Sequence, residues 1–383
     1  MRLAGRLIAA FVLSLAPTAA APLDLGKPDG TVRVATFNAS LARKGAGVLI
    51  QDIEKRDRQV LAVAEILLRV RPDVVLINEI DHDPQGLAVS ALVELLAEGT
   101  AGRAGLRYGH VFTAAVNTGV PSGYDLDGDG RTMGPGDALG YGRFPGQYGM
   151  AVLSRLPLGP VRTFQNLRWA AVPWAVAPRR KDGTPYYDPA VWNLLPLSSK
   201  SHWDLTVRLP DERTVHLLAA HPTPPVFDGP EDRNGLRNAA EIRFWADYID
   251  SKTWMIDDAG TAGGLPPGRN FIVLGDLNAD PKRGAGDRTA IGALVGHPSI
   301  NDPGPRSPGA GDRPMATADW PRDKGPGPMR VDYVLPSSSL TVAGGGVFWP
   351  APSNPLARLV NRKGRRHTSS DHRLVWVDIE VRK

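Results

Sequence analysis

Short apolar runs alternate along the chain with polar stretches rich in Gly and Pro. The runs are Val32–Phe37, Val74–Ile77, Met150–Leu153, Leu205–Leu209, Val215–Ala220, Phe271–Leu274, Val331–Leu335 and Leu374–Val381. Their length and their Val/Ile content favour strands. Two segments carry a helical period. Asp52–Arg69 sets Ile53, Val60, Ala64, Leu67 and Leu68 near one face and is stopped by Pro72, and Asn234–Asp250 spaces Leu236, Ala240, Trp245 and Ile249 similarly. Strands joined by long loops, with few helices between them, predict two mixed β-sheets packed face to face with helices outside, an α/β class. There is no internal repeat, and residues 22–383 read as one domain.

Composition removes some classes. With 42% hydrophobic residues the chain can bury a sizeable core, and with no Cys it holds neither a disulfide nor a thiolate-bound metal. At the N-terminus, Arg2 and Arg6, the apolar run Leu7–Ala16 and Pro17-Thr18-Ala19-Ala20 read as a signal peptide over residues 1–20, cleaved after Ala20. Ten residues of helix span about 15 Å, half of a bilayer core, so no transmembrane anchor is expected. The expected mature protein is exported, periplasmic or extracellular, and a monomer. The leader carries two Arg and no acid, so a net charge of +5 becomes +3, a mild bias toward anionic partners.

The apolar runs lead into, or begin with, polar groups of a catalytic kind. They read Val34-Ala35-Thr36-Phe37-Asn38, Val75-Leu76-Ile77-Asn78-Glu79, Leu218-Ala219-Ala220-His221, Val273-Leu274-Gly275-Asp276-Leu277-Asn278, Arg330-Val331-Asp332-Tyr333 and Ser369-Ser370-Asp371-His372. Strand ends are rigid platforms from which side chains can converge. Carboxylates, Asn and His without thiolate favour a hard cation, Mg²⁺ or Mn²⁺. Such a set suits phosphate-ester hydrolysis, in which a cation screens the phosphate and a base prepares water for in-line attack. Glu79 and Asp371 suit the cation, with Asn38 adding a neutral oxygen. Asp276 suits the base, with Asn278 on the same face of an extended chain to hold water or a phosphate oxygen. His221 and His372 can donate to phosphate, and Asp332 can orient an imidazole.

In this order the six blocks resemble the endonuclease/exonuclease/phosphatase superfamily, over Asn38 to His372. Gly275-Asp276-Leu277-Asn278-Ala279-Asp280 and Ser370-Asp371-His372 are the most specific parts. The resemblance implies a four-layer α/β sandwich and phosphoester hydrolysis, with a cation held by Glu79, Asn38 and Asp371. It also implies His221, in His221-Pro222-Thr223-Pro224, as the phosphate or leaving-group histidine, Asp276 with Asn278 as base and partner, and Asp332 paired with His372. It leaves an Asp or a His as the water-activating group; Asp276 is the reading adopted.

Other features are secondary. Tyr148, Lys200 and His202 are candidate substrate contacts beside the expected sheet end. Asp125, Asp127 and Asp129, closed by Asp137, copy part of an EF-hand loop with Gly136 where the bidentate Glu belongs, a candidate structural Ca²⁺ site or an ordinary acidic turn. Arg179-Arg180-Lys181 and the basic stretch Arg362–His367 could follow a phosphate backbone or be solvated loops, and the aromatics from Trp169 to Trp203 read as core. The function expected is an exported, cation-dependent phosphoesterase. Its substrate is nucleic acid, a phospholipid headgroup or another organic phosphate. The alternative is a catalytically silent, calcium-stiffened binder of an anionic ligand.

Overall fold

A computed structural model describes residues 23–323, 325–363 and 366–381. The expected signal peptide lies outside the described residues, and so do the side chains of the basic stretch from Arg362 to Arg366. The chain opens with β1 (Thr31–Leu41), β2 (Val74–Ile80), β3 (His110–Phe112) and β4 (Gly149–Ser154). It continues through β5 (Leu158–Thr163), β6 (His202–Arg208), β7 (Thr214–Ala220), β8 (Asn270–Asp276) and β9 (Asp332–Pro336). It ends with β10 (Val342–Val347), the short ribbon β11 (Arg362–Lys363) and β12 (Arg366–His367), and β13 (Val375–Glu380). One sheet runs β10-β13-β1-β2-β4-β3 and the other β5-β6-β7-β8-β9. Both are mixed, because β1–β2 and β7–β8 pair in parallel and the remaining pairs are antiparallel.

The period of two along each strand builds the layers. β7 turns Leu217 and Ala219 toward the first sheet and Leu218 and Ala220 toward the helices; β8 does the same with Ile272 and Leu274 against Phe271 and Val273. The helices are α1 (Val48–Glu54), α2 (Arg58–Val70), α3 (Leu87–Glu98), α4 (Pro189–Leu194), α5 (Arg233–Ile249) and α6 (Arg288–Val295). Leu67 of α2 and Leu92 of α3 belong to the core of the first sheet, and Phe244 of α5 and Leu294 of α6 to that of the second. Helices, sheet, sheet and helices make the expected four-layer sandwich.

Every expected strand forms, and α5 matches its expected range to one residue at each end. The expected helix Asp52–Arg69 is instead two. Arg56 turns left-handed (φ 54°) and Asp57 caps α2, accepting the N–H groups of Gln59 at 2.8 Å and Val60 at 3.4 Å. Asp57 thus starts a new helix rather than continuing the first. Trp169 and Trp203 are fully buried, whereas Trp174, Tyr186, Tyr187 and Trp192 are half-buried, so the core reading holds for only part of the aromatic group. Arg180 stacks over Tyr186, 4.9 Å from the ring, and Arg179 donates to Gly183 O, so this basic stretch folds on its own hairpin. No helix among the described residues is long and apolar enough to cross a membrane.

In the long β3–β4 connection, carboxylate oxygens of Asp125, Asp127 and Asp137 lie within 4.8 Å of one another, whereas Asp129 is not in the group, contrary to expectation. Asp125 accepts the N–H groups of Gly128 and Gly130, Asp127 that of Asp129, Asp129 that of Arg131, and Asp137 those of Leu126 and Gly134. These are Asx-type contacts of an acidic turn that holds its own backbone.

Candidate active site

The parallel pairs send the C-terminal ends of β1, β2, β7 and β8 to one edge of the sandwich. Asn38 on β1 donates its amide to Glu79 Oε1 and to Asp276 Oδ2, each at 3.0 Å, and so joins the two sheets. Asp276 ends β8 directly opposite Asp332, which begins β9. His221 follows β7 and sets Nε2 3.4 Å from Asp276 Oδ2. His372 brings Nδ1 to 2.9 Å from Asp332 Oδ2 and 3.7 Å from Asp276 Oδ2. Ser370 fastens this last block to β1: its hydroxyl donates to Asn38 O at 2.7 Å and accepts the His372 N–H at 3.0 Å.

Local backbone serves the same end. Ser40, Glu79, Tyr148 and Asn278 all hold left-handed φ values, between 48° and 57°. Such conformations are uncommon outside Gly and tend to collect at functional sites. Gly275 is required between β7 and β8, since at φ 144° a Cβ there would sit 1.9 Å from Ala220 O, one residue before His221.

The charges sort by surroundings. Burial alone would raise Asp276, but the imidazole of His372, the contact with His221 and the Asn38 amide outweigh it and hold the carboxyl below its ordinary range. Burial pushes Asp332 up to about 6. Burial also opposes charge on His372, yet Asp332 and Asp276 raise that ring well above its usual value. These directions favour an ionised Asp276 and a charged His372 ring, with His372 Nδ1 2.9 Å from Asp332 Oδ2. Burial and then the Lys200 ammonium lower His221, favouring its neutral ring, and among the described residues its Nδ1 has no partner.

The oxygen set suits a divalent cation. Asp276 and Asp332 lie together and Glu79 is joined to Asp276 through Asn38; among the described residues none of the three has a Lys or Arg ion pair, and Asp332 Oδ1 is buried without a partner. The tightest set is Asp276, Asp332 and His372, with ligand atoms within 4.8 Å of one another. Of the expected cation ligands, Glu79 is linked to this set through Asn38. Asp371 stands to the side, accepting from Ser40 Oγ at 3.3 Å and Trp320 Nε1 at 3.1 Å.

Two expectations need correction. Asn278 is not on the same face of an extended chain as Asp276: β8 ends at Asp276, Asn278 is left-handed, and its amide donates to Pro222 O at 3.1 Å. What Asp276 receives from it is the backbone N–H, at 2.9 Å. His202 is a core residue, because it lies on the helix side of β6, packs on Phe244 and Trp245, and places Nε2 2.9 Å from Glu241 O. Tyr148 is half-buried, its hydroxyl raised by burial and then by Glu79, and Lys200 is buried just before β6. Sequence reading missed Thr317, whose hydroxyl accepts the Asp332 N–H at 2.9 Å, and Trp320, whose ring stands edge-on to His372 at 5.5 Å. Both come from a loop with no local signal. Asn78, which accepts the Asp276 N–H at 3.3 Å, could have been found beside Glu79.

A model of the Endonuclease/Exonuclease/phosphatase family matches residues 35–372, and the chain belongs to that family. It is a hydrolase of phosphate esters, of a family that works with divalent metal such as Mg²⁺. The crystal structure of an endonuclease/exonuclease/phosphatase from Beutenbergia cavernae is similar with a TM-score of 0.53 at 20% identity, over 92% of this chain and 72% of that one. Lesser likenesses are sphingomyelinase C from Streptomyces griseocarneus (TM-score 0.48, 16% identity, 91% and 99% covered) and D. rerio TDP2 complexed with a single-strand DNA product (0.48, 11%, 92% and 99%). No curated protein matches the chain by sequence.

Proposed function

We propose that the protein is an exported phosphoesterase that cleaves a phosphodiester or phosphomonoester by in-line attack of water activated at Asp276. The observation that carries this reading is the Asp276 carboxylate set between His221, Asn38 and the Asp332–His372 pair. Glu79, Asn38 and Asp371 would hold Mg²⁺ or Mn²⁺, which supplies charge screening for the phosphate. Asp276 takes the proton of the attacking water. His372, with Nδ1 held by Asp332, has Nε2 left for a phosphate oxygen. His221, neutral, is placed to hydrogen-bond the leaving oxygen through its one ring N–H, the departing oxyanion taking its proton from solvent, and Tyr148 at the Glu79 side contacts the substrate. The arginines and apolar run of the leader support export, and monomeric action completes the reading.

The substrate is an organic phosphate, a nucleic acid or a phospholipid headgroup. Activity that falls steeply with salt would mark a polyanion. The decisive assay uses bis(4-nitrophenyl) phosphate and 4-nitrophenyl phosphate with Mg²⁺, before and after EDTA. Hydrolysis that survives chelation, or survives in an Asp276→Ala/His372→Ala protein, would refute the proposal. Anion binding with no turnover on any phosphoester would favour the silent binder.

A further inference from the structure

Lys200 stands out among the buried groups that the scheme above leaves unused. It is 5% exposed, and among the described residues its ammonium forms neither a hydrogen bond nor an ion pair. The chain around it is held tightly. Its carbonyl accepts the Asn117 N–H at 3.1 Å, and a Cβ on Gly140 would sit 2.1 Å from the Ser199 carbonyl oxygen, so that backbone packs directly on this segment.

Glu241 of α5 fixes Lys200 relative to the catalytic cluster. This carboxylate, fully buried, accepts the Ser199 N–H at 2.8 Å through Oε1 and the Thr223 N–H at 2.6 Å through Oε2. One side chain thus clamps the loop before Lys200 to the loop after His221. The β6–β7 ladder, whose last pair is His202 with Ala220, sets Ser201 and His221 at the next step on the two strands. Lys200 is therefore anchored from both sides at the catalytic edge. Its charge acts on His221, and it is itself acted on by Glu241, Glu79 and Asp276, which oppose the loss of its proton that burial favours.

A lysine whose stem is buried and whose ammonium has no protein partner is a poor structural element, since an apolar side chain of similar length fills such a place without the cost of a charge. A cation kept ready for an anion is a good catalytic one. It offsets the carboxylates that would repel a phosphate and is already oriented when charge develops. We infer that Lys200 is a substrate-binding catalytic residue whose ammonium takes a non-bridging oxygen of the phosphate. This rests on the phosphoesterase reading above.

The test compares wild type, Lys200→Met and Lys200→Ala with Mg²⁺ on bis(4-nitrophenyl) phosphate and 4-nitrophenyl phosphate, alongside thermal melts. Lys200→Met is expected to lose about 10²-fold in kcat/KM with a Tm equal to or above that of wild type. Added methylamine or ethylamine is expected to restore part of the turnover of Lys200→Ala. Activity within about threefold of wild type would overturn the inference, as would a loss that comes with a lowered Tm and no rescue by amine. A wild type inert on both probes would sink the phosphoesterase reading itself. The lysine is then judged by calorimetric binding of inorganic phosphate, where affinity about tenfold weaker in Lys200→Met supports it and equal affinity overturns it.

Discussion

Two acidic clusters invite comparison. Asp276 and Asp332 with His372 at the sheet edge, and Asp125, Asp127 and Asp137 in the β3–β4 loop, each bring ligand atoms within 4.8 Å. The loop cluster is local, two of its members are exposed, and its carboxylates are answered by backbone N–H groups of the same turn. The edge cluster is buried, its members come from three separate parts of the chain, and its carboxylates are answered by imidazoles and an amide from other elements as well as by the Asn278 backbone N–H. Proximity of acids is thus a weak sign of chemistry. What separates the two is whether the neighbours are titratable side chains held by other elements or the turn's own backbone.

The sharpest way to break this contrast is at Asp276. Asp276→Asn keeps the shape and removes the ionised oxygen, so kcat should fall on the order of 10³-fold or more, with little change in a thermal melt. Turnover near that of wild type would place the chemistry elsewhere. Next in size is Gly275→Ala, whose Cβ would collide with Ala220 O. Prying β7 from β8 should cost about 2 kcal/mol or more in urea denaturation and about 10²-fold in activity through misplacement of His221 against Asp276.

A smaller effect is expected at the anchor of β9. Arg330, two residues before Asp332, grips Asp302 with both Nη atoms at 2.6 Å. Burial alone would raise the Asp302 carboxyl, but Arg330 holds it below its ordinary value. A carboxyl depressed in the folded state adds stability above its unfolded pKa and loses it as pH falls through the folded one. Asp302→Asn should therefore be less stable than wild type near neutral pH, by on the order of 1 kcal/mol. The gap should close below about pH 4, as read by denaturation at a series of pH values. Least of all, Asp125→Asn/Asp127→Asn should leave turnover within about twofold and stability within about 1 kcal/mol, since an amide oxygen still accepts a backbone N–H.

The same contrast explains what could be read without coordinates. The strands were visible because Val- and Ile-rich runs bounded by Gly and Pro carry their own signal, and a polar residue at a strand end announces itself against an apolar background. The break at Asp57 was hidden because helical spacing continues across a cap, and α3 because its near-continuous apolar run, Leu87 to Ala97, shows little face. His202 was misplaced because the sequence does not say which side of β6 faces α5. The turn at Asn278 is hidden because nothing in Asp276-Leu277-Asn278 marks where the strand stops. Thr317 and Trp320 arrive from a loop whose path depends on the whole fold.

Trp320 has a practical side. Its indole N–H rests on Asp371 and its ring edge meets His372, so a change of charge at those two groups is expected to quench or shift its share of the emission of the nine tryptophans. A fluorescence titration with a divalent ion, repeated on Trp320→Phe, turns a loop side chain into an optical gauge of occupancy that works before any substrate is known.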